Sequence, residues 1–379
     1  MKPITFIHTA DLHLDLPFQG WRGSDDVLLR WRDEHRRTFA ATIDTVMEKQ
    51  TDYLLIAGDW LEYETASRST AEWLIEQLER IKNTQVLIAP GNHDPFRPDS
   101  YYHSLSWPEH VTIFTGDWEE RRFPEHGLTV VGRGFREFEE PEAEMPSVRV
   151  PEGERLILLF HGTLQNGNAG SPYFPVTKEK LAPLEADYVA LGHIHQPHAL
   201  RLNNQKRTWV RYPGSPHALR WQETGERSVT WGRLSDSGCH WEPVSVQTRR
   251  FEVDMIPLEG CKTDGEALKQ IKQMIPEGKE RDACRRLVLN GRRQAGWKPR
   301  AEWLSLQLKQ SGFYHVEIVD ETLPDYDLEW LRSQEGLVGT FVRKMEERME
   351  RTTMEEREHW HRALLKGLDA LLSPEVKKP

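Results

Sequence analysis

Five short polar blocks, each set just after an apolar run, constrain this chain more than anything else in its sequence. They are Thr9–His13 (TADLH), Ala57–Asp59 (AGD), Gly91–Asp94 (GNHD), His161–Thr163 (HGT) and Gly192–His195 (GHIH). The runs before them, Ile4–His8, Tyr53–Ala57, Gln85–Ala89, Arg155–Phe160 and Tyr188–Leu191, read as buried strands. Every block then sits in a loop just past a strand. Loops at one end of an α/β sheet converge on one crevice, where such folds place their sites. Between the blocks, Val27–Lys49 and Thr70–Ile81 repeat apolar residues at helical spacing. The expected class is α/β, a layered sandwich of strands and helices.

The blocks converge seven candidate metal ligands: Asp11, His13, Asp59, Asn92, His161, His193 and His195. Seven is too many for one tetrahedral ion. It suits two ions that share a bridging carboxylate. Oxygen and imidazole donors favour Mn²⁺, Fe²⁺ or Zn²⁺ over thiol-loving metals. Two ions about 3.5–4 Å apart can clamp the attacking and leaving oxygens of a displacement at phosphorus. Gly58, Gly91, Gly162 and Gly192 lie beside these ligands, where a missing Cβ permits tight turns.

The strings FIHTADLHLD, LLIAGDW, APGNHD, LLFHGT, ALGHIHQP and YPGSP resemble the calcineurin-like metallophosphoesterases. Within that superfamily they look like the SbcD/YhaO-type bacterial DNA repair exonucleases. The resemblance spans residues 1 to about 235 and continues more weakly through RRLVLNGRR in the next segment. It implies one ion on Asp11, His13, Asp59 and His195, and a second on Asp59, Asn92, His161 and His193, with Asp59 bridging. It also implies that His93 is a general acid and not a ligand. Asp94, next in sequence, is expected to orient the His93 imidazole. Some relatives carry a second histidine where this chain has Glu62. An acid there can steady His93 or lie in solvent, and the sequence leaves both open.

The net charge of −10 counts against a polyanionic substrate, but its distribution matters more. Residues 279–300 hold eight basic side chains against Glu280 and Asp282, and residues 201–211 add Arg201, Lys206, Arg207 and Arg211. Beside a phosphoesterase site, the first stretch is expected to face DNA, with Arg292 and Arg293 in a turn as the best candidates. Trp60 follows Asp59 and either stacks on a base or packs in the core. The three cysteines, Cys239, Cys261 and Cys284, form no C-x-x-C pair, as expected of a reduced, cytoplasmic protein. No run of about eighteen apolar residues predicts a membrane span, and the N-terminus does not read as a signal peptide.

Three domains are expected: residues 1–245 for the phosphoesterase fold, 246–325 for a small α+β cap, and 326–379 for a helical tail. In the tail, Leu337, Val338, Phe341, Val342, Met345 and Met349 form one helical stripe. Such helices can fold back on their own domain. By resemblance, they can instead grip the coiled-coil root of an SMC-type, SbcC-like ATPase. Relatives also dimerise through helices of the catalytic domain; here Val27–Lys49 fits either a dimer face or an internal core face. The expected function is Mn²⁺-dependent hydrolysis of DNA phosphodiesters in repair. The 3′ to 5′ exonuclease polarity and an accompanying single-strand endonuclease activity are implied by the resemblance alone. The alternative is a small-molecule phosphodiesterase or phosphatase of the same superfamily.

Overall fold

The computed structural model describes residues 2–18, 25–151, 153–165 and 170–372. The chain divides into two compact units, Met1–Arg250 and Phe251–Pro379. The strands of the first are β1 (Ile4–Thr9), β2 (Tyr53–Ile56), β3 (Gln85–Ile88), β4 (Val111–Ile113), β5 (Glu119–Phe123), β6 (Leu128–Arg133), β7 (Arg155–His161), β8 (Tyr188–Gly192), β9 (His198–Arg201), β10 (Trp209–Tyr212), β11 (Ser228–Ser235) and β12 (Gly238–Ser245). They form two six-stranded sheets, in the orders β12-β11-β1-β2-β3-β4 and β5-β6-β7-β8-β10-β9. The strands β1 to β4 run parallel, and so do β6, β7, β8 and β10.

The apolar runs are continuous because both faces of each central strand are buried. In β2, Tyr53 and Leu55 join Phe6, Leu87, Leu159 and Tyr188 in the layer between the sheets. Their neighbours Leu54 and Ile56 point the other way. There they meet Phe39, Ile43 and Val46 of the helix Asp25–Lys49 and Leu74 and Leu78 of the helix Arg68–Glu79. That contact makes Phe39, Ile43 and Val46 an internal core face. The side chains of Val27 and Leu28 lie outside the described residues. On the far side of the second sheet, Leu156, Leu158 and Phe160 pack with Phe174, Val176 and Leu181.

The five ligand-bearing strands are split between the sheets: β1, β2 and β3 in one, β7 and β8 in the other. Their C-terminal ends supply all the predicted blocks. The site therefore straddles the edges of two packed sheets.

In the second unit β13 (Phe251–Pro257), β14 (Cys284–Asn290) and β16 (His315–Asp320) form a parallel three-stranded sheet, and β15 (Arg292–Gln294) pairs with β17 (Leu323–Asp325). The helices Asp264–Met274 and Ala301–Gln310 bury Ala267, Ile271, Leu304 and Leu308 against Ile256, Leu287 and Leu289. The tail helices Leu328–Ser333, Leu337–Glu350 and Met354–Leu372 share a cluster of Leu331, Val342, Leu364 and Leu368. Among the described residues no helix is long and apolar enough to cross a membrane. Among the described residues no disulfide links the three cysteines, and Cys261 and Cys284 are buried.

Candidate metal centre

Four of the seven predicted ligands hold a left-handed backbone: Asp11 (φ 53°), His13 (φ 49°), Asp59 (φ 52°) and His193 (φ 106°). Non-glycine residues adopt that region at a cost of roughly 1–3 kcal/mol each, and such strain gathers at functional sites. Hydrogen bonds between the loops hold them there. Asp11 N–H donates to Gly58 O at 3.0 Å, and His13 N–H donates to Asp59 O at 2.8 Å. Gly58 (φ 83°) is required for the close approach, since a Cβ there would lie 2.6 Å from His161 Nδ1.

The ligand side chains form two clusters, Asp11–His13–His195 and Asp59–His161–His193. Asp59 Oδ2 lies 3.2 Å from His161 Nε2 and 3.7 Å from His13 Nε2, so one carboxylate oxygen reaches both. Asn92 Oδ1 lies 3.0 Å from His161 Nε2 and joins the second cluster.

The outer nitrogens of three imidazoles are occupied. His13 Nδ1 donates to Glu62 Oε1 at 2.5 Å, His161 Nδ1 to Ala57 O at 2.8 Å, and His195 Nδ1 to Glu223 Oε1 at 2.8 Å. In neutral rings each Nε2 is then a lone-pair acceptor. Yet His13 Nε2 and His195 Nε2 face each other at 3.2 Å, and His161 Nε2 faces the Asn92 and Asp59 oxygens. Acceptors turned toward acceptors call for positive charge between them, whether a proton or a metal ion. Asp11 Oδ2 is also buried without a hydrogen-bond partner. The residues present therefore fit two divalent ions, and the hydrogen bonds behind the rings are those that orient metal-binding histidines.

Electrostatics agree with this reading. Burial opposes charge on His161, but the Asp59 and Asp11 carboxylates pull it up to about 9. Burial likewise opposes ionisation of Asp59, yet the surrounding imidazoles, His161 first, hold it well below the usual carboxylate range. His193 is driven down to about 3 by burial and by the charge of His161. The cage favours positive charge at its centre and leaves His193 neutral.

His93 lies at the rim, with its side chain 45% exposed. Its Nδ1 donates to Glu62 Oε2 at 3.1 Å. Glu62 is thus a buried bridge between His13 and His93, which decides between the two roles the sequence left open. Burial disfavours the imidazolium, but the Glu62 hydrogen bond and the Asp59 charge outweigh it and push His93 up to about 9.

The expectation for Asp94 needs correction. Its carboxylate accepts from the backbone N–H groups of Gly91 (2.6 Å), Asp59 (3.0 Å) and Trp60 (3.0 Å) and from the Tyr102 hydroxyl (2.9 Å). It fastens two ligand loops together, and the acid bonded to the His93 ring is Glu62. Trp60 is also a core residue: it is buried, and its indole N–H donates to Tyr102 Oη at 2.6 Å. Glu223 was missed by sequence reasoning, because no spacing links it to His195, 28 positions away.

The second unit corrects Arg293. Strand β15 alternates, so Arg292 and Arg293 point to opposite sides. Arg293 is 3% exposed and bonds to the Asp369 carboxylate and Trp297 O. Arg292 is outward, 3.4 Å from Asp325. Arg281, Arg285, Arg286 and Arg300 pair with Glu277, Asp254, Glu317 and Asp264. Most of the basic stretch is tied up within its own unit.

Comparison with known proteins identifies the family. Residues 4–197 match the calcineurin-like phosphoesterase family. The chain is 27% identical over 352 residues to the uncharacterized metallophosphoesterase YhaO of Bacillus subtilis, covering 90% of this chain and 80% of that protein. It is 22% identical to the SbcD component of the nuclease SbcCD of Bacillus subtilis, covering 83% and 85%. It is also 22% identical to the DNA double-strand break repair protein Mre11 of Methanopyrus kandleri, covering 70% and 62%.

Proposed function

Because the chain belongs to the calcineurin-like phosphoesterase family, we propose that it hydrolyses DNA phosphodiesters at this two-cluster site, with Mn²⁺ as the working metal. The observation that carries the reading is the Asp59 oxygen shared by two acceptor clusters, with an exposed imidazole beside them. Asp11, His13, His195 and Asp59 would hold one ion, and Asp59, Asn92, His161 and His193 the other. Divalent ions there supply Lewis acidity at the phosphoryl oxygens and lower the pKa of water. DNA is the preferred substrate because relatives along most of the chain are named as a nuclease component and a double-strand break repair protein.

His93 supplies the acid. Glu62 keeps the Nδ1 proton, so the proton delivered to the departing oxygen leaves from Nε2, and the ring returns to neutral. The Glu62 carboxylate stabilises the cationic ring before transfer.

A second reading, a small-molecule phosphodiesterase, is favoured by the internally paired arginines of the second unit. An SMC-type ATPase on the tail helices and a homodimer are further proposals from the resemblance. The deciding experiment uses end-labelled single-stranded and duplex DNA with Mn²⁺, Mg²⁺ or chelator. Cleavage with Mn²⁺ that chelator abolishes supports the first reading. Turnover of small diesters with intact DNA supports the second.

A further inference from the structure

Beside His93 lies a cleft of about 320 Å³ whose lining includes Tyr63, Asn92, His93, Phe138 and Tyr173. Three aromatic rings thus meet next to the expected acid and ligands. Each is fixed by the fold. Tyr63 follows Glu62 and donates its N–H to His93 O at 2.8 Å. The Tyr173 ring lies 4.8 Å from the His193 ring. Phe138 packs edge-on against Tyr63 at 5.3 Å, and the Arg97 guanidinium stands 5.4 Å from its ring centre.

The loops that carry them are joined. Glu140 N–H donates to Pro172 O and Phe174 N–H donates to Glu140 O, both at 2.7 Å, which ties the Phe138 side of the cleft to the Tyr173 side. Phe138 nevertheless remains 41% exposed. With Tyr63 and Tyr173 it lines one aromatic cleft beside the candidate acid, a loop-borne grouping of the kind that takes a ligand.

The lining also selects the ligand's chemistry. Glu62, Glu64 and Glu139 bring carboxylates to the same cleft. Beyond His93 a phosphate would meet the Glu64 and Glu139 carboxylates, whereas a flat neutral ring would meet aromatic faces and hydrogen-bond acceptors. Its place beside His93 puts it on the side from which the leaving oxygen departs.

We propose that this cleft stacks the nucleobase on the leaving-group side of the scissile phosphate against Phe138 and its neighbouring rings. The proposal rests on the phosphodiesterase reading and adds to it what the site recognises. It needs a nucleoside leaving group, whether that belongs to DNA or to a dinucleotide.

The test uses single-stranded oligonucleotides with one cleavable linkage, carrying either a base or an abasic residue on its leaving-group side. A dinucleoside phosphate and a base-free diester complete the set. The wild-type chain in Mn²⁺ should lose roughly 10- to 100-fold in kcat/KM when that base is removed, the worth of one stacked base. Phe138→Ala should bring the base-bearing to abasic ratio close to one, and Phe138→Trp should restore it. If DNA is cut but neither base removal nor Phe138→Ala changes the ratio, the cleft is not a base site and the DNA reading stands. If DNA is not cut, but the dinucleoside phosphate is preferred over the base-free diester in a Phe138-dependent way, the cleft stands and the DNA reading falls. Turnover of only the base-free diester overturns both.

Discussion

The Glu62 carboxylate and the His93 imidazole are joined by a 3.1 Å hydrogen bond that fixes which ring nitrogen faces the cleft. The other Glu62 oxygen accepts from His13. One buried acid thus couples the rim histidine to a candidate ligand of the metal cage. A nearby carboxylate raises an imidazole pKa, so Glu62 keeps His93 protonated further into alkaline pH. Glu62→Gln removes that charge. The alkaline limb of the kcat profile should then move to lower pH, measured in the same metal as the wild type. A limb that stays in place would mean His93 is not the acid.

Asp59→Asn tests the shared oxygen. Asp59 Oδ2 reaches both clusters, and Oδ1 accepts the His93 N–H at 2.8 Å. The amide should lower the metal content of both sites and abolish Mn²⁺-dependent cleavage. Elemental analysis beside the activity assay checks this. Wild-type metal content with wild-type turnover would remove the bridging assignment.

Glu223 should reach the candidate metal cage through His195. Its Oε1 accepts from His195 Nδ1, and its Oε2 accepts from Ser215 Oγ and Leu219 N–H. Burial raises its pKa, but the His195 bond and charge lower it further, to about 2. Glu223→Ala should weaken metal binding by roughly 10- to 100-fold, the usual effect of losing the partner behind a ligating histidine. Titration with Mn²⁺, followed by activity and by calorimetry, reads this. An unchanged affinity would make Glu223 a purely structural residue.

Much of the fold was legible because doubly buried strands leave continuous apolar runs, and the strands ending at Ile56, Ile88 and Gly192 reach their blocks with at most Ala89 and Pro90 between. The sequence could not distribute those strands between two sheets, since pairing is set by contacts hundreds of residues apart, such as β1 with β11. Short edge strands such as β4, β5 and β9 were also missed; their half-exposed residues carry no apolar run. At the site, the candidate ligands that the structure gathers were marked by motif. The groups behind them were not: Glu62 and Glu223 reach their histidines across loops, and Asp94 turned from the neighbouring ring to backbone donors.

The two β15 arginines should separate cleanly. Arg292 is half exposed beside an exposed Asp325, so Arg292→Ala should leave stability within about 0.5 kcal/mol. Arg293 is buried against Asp369, which is partly exposed. Arg293→Ala should therefore cost roughly 2–3 kcal/mol, below the range for a fully buried pair. Denaturant unfolding of both variants checks it. Equal stabilities would place the Arg293 head group in solvent.

The same ion pair changes what removal of the tail should do. Asp369 also accepts from the Tyr326 hydroxyl at 2.9 Å, and Leu364 and Leu368 pack with Leu331 and Val342. Deleting Leu337 onward would strip Arg293 of its carboxylate and open that cluster. The second unit should lose stability, while Met1–Arg250, with its own core, keeps metal-dependent diester hydrolysis. A truncation therefore cannot by itself test the proposed SbcC-like partner, because loss of binding would follow from lost structure. Surface variants can. Leu337 and Met354 are exposed, and a groove of about 840 Å³ lined by Arg343, Glu346, Met349, Met354 and Arg357 runs along the two helices. Leu337→Glu and Met354→Glu should leave thermal unfolding unchanged and weaken capture of the ATPase coiled-coil root at least tenfold. Binding as tight as the wild type by the double variant would show that neither the groove beside Met354 nor the exposed Leu337 holds the partner.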